Sequence, residues 1–259
     1  MSVKSAKVKK FLEITGTESE DMASFFLGRN QQNVTYAIND FFTRPELAEG
    51  FKKVKENAKI KVDSKVKSVF NKYKEDSLDV LGKPYIGIDG TVRYIADLGY
   101  EPEDLVILAL AEFLESPSVG IFKEDPFLIN WSRVGANSIE KMHDYIENEL
   151  AVKLAEESYF KKVYQFTYKF ILEKNQRNVP TESAIEYWNL MIPEEYKKEL
   201  DTFIKFLEIK DHKGITKDQW NMLYPFLKTY HEDPKLSNYD EMQSWPVLMD
   251  EFHEWLTDS

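Results

Sequence analysis

The chain has 259 residues and no cysteine; 42% of its residues are hydrophobic, 14% aromatic and 31% charged, and its formal net charge is −11. The absence of thiols excludes disulfides, thiolate zinc sites, CxxC redox chemistry and thioester-forming transfer. The apolar content supports a sizeable core in one large domain or two, and the acidic balance excludes nucleic acid and anionic membrane surfaces as partners.

The charge is uneven. Residues 1–74 carry fifteen Lys/Arg against nine Asp/Glu, whereas residues 218–259 carry two against nine. A basic front therefore precedes an acidic end, and a partner of that end should be basic. The N-terminal MSVKSAKVKK lacks the apolar stretch of a signal peptide, and the longest apolar run, LVILALA at Leu105 to Ala111, is too short to span a bilayer. An intracellular location, cytoplasm or nucleus, is expected.

Three short helical patterns open the chain. Val8, Phe11 and Leu12 mark the first. Thr17 with Glu20 reads as a capping box for the second, which carries Met22, Phe25 and Phe26. Asn33 caps a third, with Ala37, Ile38, Phe41 and Phe42 on it. Residues 1–45 thus predict a three-helix domain. The Lys-rich stretch that follows has little apolar periodicity, so residues 46–62 are expected to be a linker and residues 63–259 a second, larger domain.

From Asp63 the pattern is helical almost throughout. Apolar residues recur at helical spacing through Val66 to Tyr73, Phe160 to Ile171, Ala184 to Met191 and Leu200 to Leu207. No strand pair is evident, so the expected class is all-α. Pro102 suits the first turn of the apolar helix after it. Thr216 with Gln219 forms a capping box before Trp220, and Pro225 should kink or shorten the helix that follows.

Two stretches, YIGIDGTV at Tyr85 to Val92 and DHKGITKDQW at Asp211 to Trp220, resemble calcium loops between paired helices. With Ile215 at the eighth loop position the ligand positions hold Glu208, Lys210, His212, Thr216 and Gln219. With Ile88 there, they hold Leu81, Lys83, Tyr85, Asp89 and Val92. Lysine and leucine cannot ligate calcium, so the loops are expected to serve as scaffold and no metal is expected. His143, His212, His231 and His253 lack paired ligand spacing and read as surface residues. No phosphate loop, dinucleotide turn or nucleophile elbow occurs, which argues against an enzyme and against a cofactor.

Two features remain. The helix Leu105 to Leu114, followed by SPSVGIF at Ser116 to Phe122, is either core or the wall of a groove for a partner's apolar anchor. At the C-terminal end Leu248, Phe252 and Trp255 share a helix face that Asp250 and Glu251 interrupt, and Asp218 sits in an earlier helix's first turn.

WPVLMDEF at Trp245 to Phe252, SNYDE at Ser237 to Glu241, KDQW at Lys217 to Trp220, VYQFTYKF at Val163 to Phe170, AIEYWNL at Ala184 to Leu190 and IGIDG at Ile86 to Gly90 occur in one chain. Together they closely resemble the defective-in-cullin-neddylation family, over nearly the whole length. The resemblance implies an N-terminal ubiquitin-associated (UBA) domain and a potentiating-neddylation (PONY) domain of EF-hand-like folds. It also implies a scaffold-type ligase component, without catalytic residues, that brings a cullin to the conjugating enzyme charged with Nedd (Rub in yeasts).

The family's acidic cullin-binding patch falls on Asp218, Ser244 and Asp250, with Glu251 beside them; Ser244 stands where the family has alanine. Its pocket for the conjugating enzyme's acetylated N-terminal methionine falls on Ile88, Ile107, Leu110, Ala111, Gly120, Phe122, Phe170, Tyr187 and Leu190. Animal members have isoleucine at Thr91 and cysteine at Gly120. The RING-box subunit of the cullin complex is a further implied partner, and the protein is expected to be a monomer. The UBA domain could bind ubiquitin or the modifier through Ile14, Thr15, Gly16, Phe41 and Phe42, which could equally be three-helix core. The alternatives are an EF-hand calcium sensor and an adaptor that only recognises ubiquitin.

Overall fold

The computed structural model describes residues 6–237, 239 and 245–258 and divides between Lys61 and Val62 into two units. In the first, α1 (Ala6–Thr15), α2 (Glu20–Arg29) and α3 (Val34–Thr43) pack around Phe11, Met22, Ala23, Phe26, Leu27 and Ala37, all buried. Asn33 caps α3 as expected, accepting from the Tyr36 amide at 3.1 Å. The cap of α2 is Ser19 rather than Thr17; its hydroxyl accepts from the Met22 amide at 3.2 Å.

The stretch expected as a linker is largely helix. α4 (Pro45–Asn57) begins on a proline suited to a helix's first turn and lays Leu47, Ala48 and Phe51 against the core of this unit. Only these three residues make its apolar face, too few to stand out among its lysines.

The second unit is also helical. α5 (Ser64–Tyr73) leads to β1 (Tyr85–Ile86), α6 (Ile88–Asp97), α7 (Leu105–Phe113) and β2 (Phe122–Lys123), and then to α8 (Glu124–Val134) and α9 (Ile139–Tyr145). A π turn (Ile146–Leu150) joins α9 to α10 (Ala151–Leu154) and the long α11 (Glu157–Ile171). The C-terminal part holds β3 (Val179–Pro180), α12 (Thr181–Met191), α13 (Lys197–Ile209), β4 (Gly214–Ile215), α14 (Lys217–Glu232) and α15 (Val247–Thr257).

The class is all-α, with two strand pairs of two residues each that periodicity cannot reveal. Tyr85 pairs with Lys123 and Ile86 with Phe122; Val179 pairs with Ile215 and Pro180 with Gly214. The first pair corrects the loop register, because Ile86 rather than Ile88 lies in the strand. Ile86 at the eighth position moves the ligand positions to Asp79, Leu81, Lys83, Gly87 and Gly90, which still form no oxygen cage. Pro225 lies inside an uninterrupted α14, and Asp104 rather than Pro102 directly precedes α7.

Candidate functional site

The apolar helix α7 is both core and wall. Leu108, Ala109 and Leu110 are buried, and a cavity of about 310 Å³ lies against the face that carries Ile107 and Ala111. Ile88, Thr91, Val92 and Ile95 of α6 form a second wall. Phe170 of α11 with Tyr187 and Leu190 of α12 form a third, and Ser116, Val119, Gly120 and Phe122 complete it. Of the nine residues expected here, Leu110 alone does not line the cavity; it is 0% exposed and points into the core.

The loop after α7 shapes the opening. Gly120 has φ +75°, and a Cβ there would lie 2.8 Å from Cγ1 of Ile88, so a side chain would be strained and would push on the wall. Both small hydroxyls of the lining are used internally. Thr91 donates to the Gly120 carbonyl at 3.0 Å, and Ser116 donates to the carbonyls of Ser118 and Ile121 at 2.9 and 2.6 Å. The lining contains no charged residue. Burial holds the Tyr187 phenol above its ordinary pKa of 10.0, with the nearby Glu186 charge acting in the same direction. The cavity is thus an uncharged, mainly apolar slot, at the small end of ligand pockets of roughly 300–1,000 Å³.

The acidic end is built on aromatic packing. The capping box at Thr216 is complete: its hydroxyl accepts from the Gln219 amide at 3.2 Å, and Gln219 Oε1 accepts from the Thr216 amide at 2.8 Å. Asp218 stands exposed in that first turn, where a helix favours negative charge. Trp220 anchors α14 to α11. Its Nε1 donates to the Tyr164 carbonyl at 2.9 Å while the Tyr164 hydroxyl donates to the Trp220 carbonyl at 2.8 Å.

On α15, Phe252 is fully buried among Phe203, Phe206, Phe226 and Tyr230, with ring centroids 5.2 to 5.7 Å away. Asp250 lies half-buried, and its Oδ1 accepts from the Tyr239 hydroxyl at 2.5 Å. Glu251 Oε2 is 3.6 Å from Lys210 Nζ. Asp250 is thus held by a tyrosine hydroxyl and Glu251 by an ion pair, on a helix that Phe252 anchors in the core. Ser244 lies outside the described residues.

A family model described as Cullin binding matches residues 141–255, and one described as UBA-like domain matches residues 5–47. Defective in cullin neddylation protein 1 of Yarrowia lipolytica is 33% identical over 96% of this chain and 95% of its own length. The protein of the same name from Saccharomyces cerevisiae is 33% identical over 97% and 93%. The chain belongs to the defective-in-cullin-neddylation family. DCN1-like protein 5 of Homo sapiens is 33% identical over 66% of this chain and 70% of its own length.

Asp218, Asp250 and Glu251 all fall within the matched Cullin binding region, whereas the walls of the cavity formed by α6 and α7 precede it. Val92, Ile95, Pro102, Leu108, Ser116 and Val119 also line the cavity and were not expected from the sequence. Val92 and Ile95 could have been found, since they lie four and seven residues after Ile88 on one face of α6. In the UBA-like unit Ile14 and Phe42 are exposed at 48% and 59%, but Phe41 packs edge-on against Phe11 and Phe26 and belongs to the core. Thr15 donates to the Phe11 carbonyl at 2.8 Å, and Gly16 takes φ +70° just after α1.

Among the described residues no three His, Asp or Glu converge as metal ligands, and no helix is long and apolar enough to cross a membrane. His143, His212 and His253 are half-buried rather than on the surface, and His143 Nδ1 lies 2.9 Å from the Leu98 carbonyl.

Proposed function

We propose that this protein acts in cullin neddylation as a scaffold-type ligase component. A cullin's basic C-terminal region docks on the acidic surface of Asp218, Ser244, Asp250 and Glu251. The Nedd- or Rub-charged conjugating enzyme inserts its acetylated N-terminal methionine into the cavity of α6, α7 and α12, and the RING-box subunit comes with the cullin. The observation that carries this is the presence, within one helical unit, of the solvent-accessible carboxylates of Asp218, Asp250 and Glu251 inside the matched Cullin binding region and of an uncharged slot.

The chemistry suits both partners. Surface carboxylates raise the encounter rate with a basic surface and disfavour acidic competitors. An uncharged wall accepts an acetylated terminus and penalises a free ammonium, which finds no counter-ion there. Holding both partners raises the local concentration of thioester near the acceptor lysine, so the scaffold needs no catalytic residue of its own. In the UBA-like unit, exposed Ile14 and Phe42 are the residues suited to a weak contact with ubiquitin or the modifier.

Cullin modification reconstituted with purified conjugating enzyme, with and without this protein, is the test. A rise in the rate of cullin modification is expected. An unchanged rate at saturating protein overturns the proposal.

A further inference from the structure

The SNYDE stretch lies between α14 and α15, and neither the acidic surface nor the apolar cavity gives it a role. Within it, Tyr239 is tied to both helices. Leu236, 1% exposed, anchors the chain beyond α14 in the core, and its carbonyl accepts from the Tyr239 amide at 2.9 Å. The Tyr239 ring lies on His253 of α15, with centroids 4.6 Å apart and planes inclined by 31°. It also stacks on Trp245 at 6.4 Å and meets Phe226 of α14 edge-on at 6.2 Å. Three rings thus fix where its hydroxyl points, and that hydroxyl donates to Asp250 Oδ1 at 2.5 Å.

The acids of the surface differ in how they are held. Asp218 is exposed at the start of α14, and the charge of Glu251 is countered by Lys210. Of these three, Asp250 alone is held by a neutral side-chain donor. A lysine fixes a carboxylate and cancels its charge, whereas a hydroxyl fixes it and leaves the charge in place. Hydrogen bonds to an ionised group are among the stronger ones, so this bond restricts the carboxylate's rotation. A side chain ordered beforehand loses less conformational freedom when a cation docks on it. Oδ2 accepts from no side chain among the described residues, and a carboxylate has about four lone-pair sites, so Asp250 can still take an ammonium or guanidinium head.

We infer that Tyr239 is a positioning residue, which presents Asp250, charged and already ordered, to the basic region of the cullin. This role rests on the proposed cullin docking at Asp250 and requires no contact between Tyr239 and the cullin.

Full-length protein, Tyr239→Phe, Asp250→Ala and the double variant are titrated with a purified cullin C-terminal region at low ionic strength, where weakened charge-dependent complexes stay measurable. Tyr239→Phe keeps the ring and removes only the hydroxyl, and thermal unfolding checks that the fold is retained. It should weaken binding roughly three- to tenfold, the loss expected when one side chain must be ordered on association. In the Asp250→Ala background the same change should alter affinity by less than about twofold, because it acts only through that carboxylate. Wild-type or tighter affinity in Tyr239→Phe, with weakened binding in Asp250→Ala, overturns the inference and leaves the cullin docking standing. Equal weakening by Tyr239→Phe in both backgrounds gives it a structural role and overturns the inference as well. Wild-type affinity in Asp250→Ala removes Asp250, and Tyr239 with it, from cullin binding.

Discussion

The cavity should distinguish an acetylated from a free N-terminal methionine. Acetylation is the perturbation: it removes one positive charge and leaves the methionine side chain unchanged. In both peptides the side chain gains about 1.5–3 kcal/mol from burial against Ile107, Ala111, Phe122 and Phe170. The difference therefore lies in the terminal nitrogen. The effective cost of desolvating an ammonium inside a protein is several kcal/mol unless a partner is present.

No carboxylate is in the lining, and the Thr91 and Ser116 hydroxyls already donate to backbone carbonyls. Compensation from the wall is thus small. The slot is open to solvent, with Ile88 and Val119 of its lining exposed, so a terminus held beside them would keep part of its hydration and only part of the penalty would apply. Retaining about 1.4 kcal/mol of it corresponds to a tenfold preference. Isothermal titration of the full chain with the two peptides measures this directly. Ala111→Arg, which places charge and bulk in the slot, should abolish binding of the acetylated peptide without changing cullin affinity. Equal affinity for the two peptides would refute the reasoning and leave the cavity as a packing defect of the core.

At the acidic surface, Asp218→Arg or Asp250→Arg should cost roughly 2–5 kcal/mol of cullin affinity with the fold intact, and wild-type binding should weaken as salt is added; titrations at two ionic strengths check both. Thr216→Ala removes the hydroxyl that accepts from the Gln219 amide and should lower stability by about 1 kcal/mol in denaturant unfolding. Asp63 accepts from the Asn137 side chain and the Lys65 amide, each at 2.8 Å, and these bonds, Asn137's first, hold its carboxyl below the ordinary 3.8. A lowered folded pKa means that the unfolded chain binds more protons, so this stability is fully present above pH 3.8 and is lost as pH falls through the folded value. In acid titrations followed by tryptophan fluorescence, Asp63→Asn should show a smaller rise in stability with pH across that window than the wild type.

The features legible in the sequence are those decided by residues close along the chain. Asn33 and Thr216 cap their helices because each oxygen reaches an amide three residues on, and that spacing needs no tertiary partner. The all-α class and the aromatic stripe of α15 follow from periodicity in the same way, since every residue of one helix face must find a core. The ligand types of the calcium-like loops are local too, although the first loop's register was two residues out until its strand pair fixed it.

What tertiary structure decided are the places where pattern is silent. α4 is a helix because Leu47, Ala48 and Phe51 meet an existing core, and a three-residue apolar face carries too little signal among lysines. In α7 nearly every residue is apolar, so periodicity cannot tell the core side from the cavity side. Only the walls brought by α6, α11 and α12 separate Ala111 from Leu110. Likewise the two-residue strands exist because distant loops pair, which placed Ile86 in the ladder and freed Ile88 to form the cavity's rim. A helix's faces are written in its own residues, but which face meets a neighbour and which meets a space depends on elements far away in the chain.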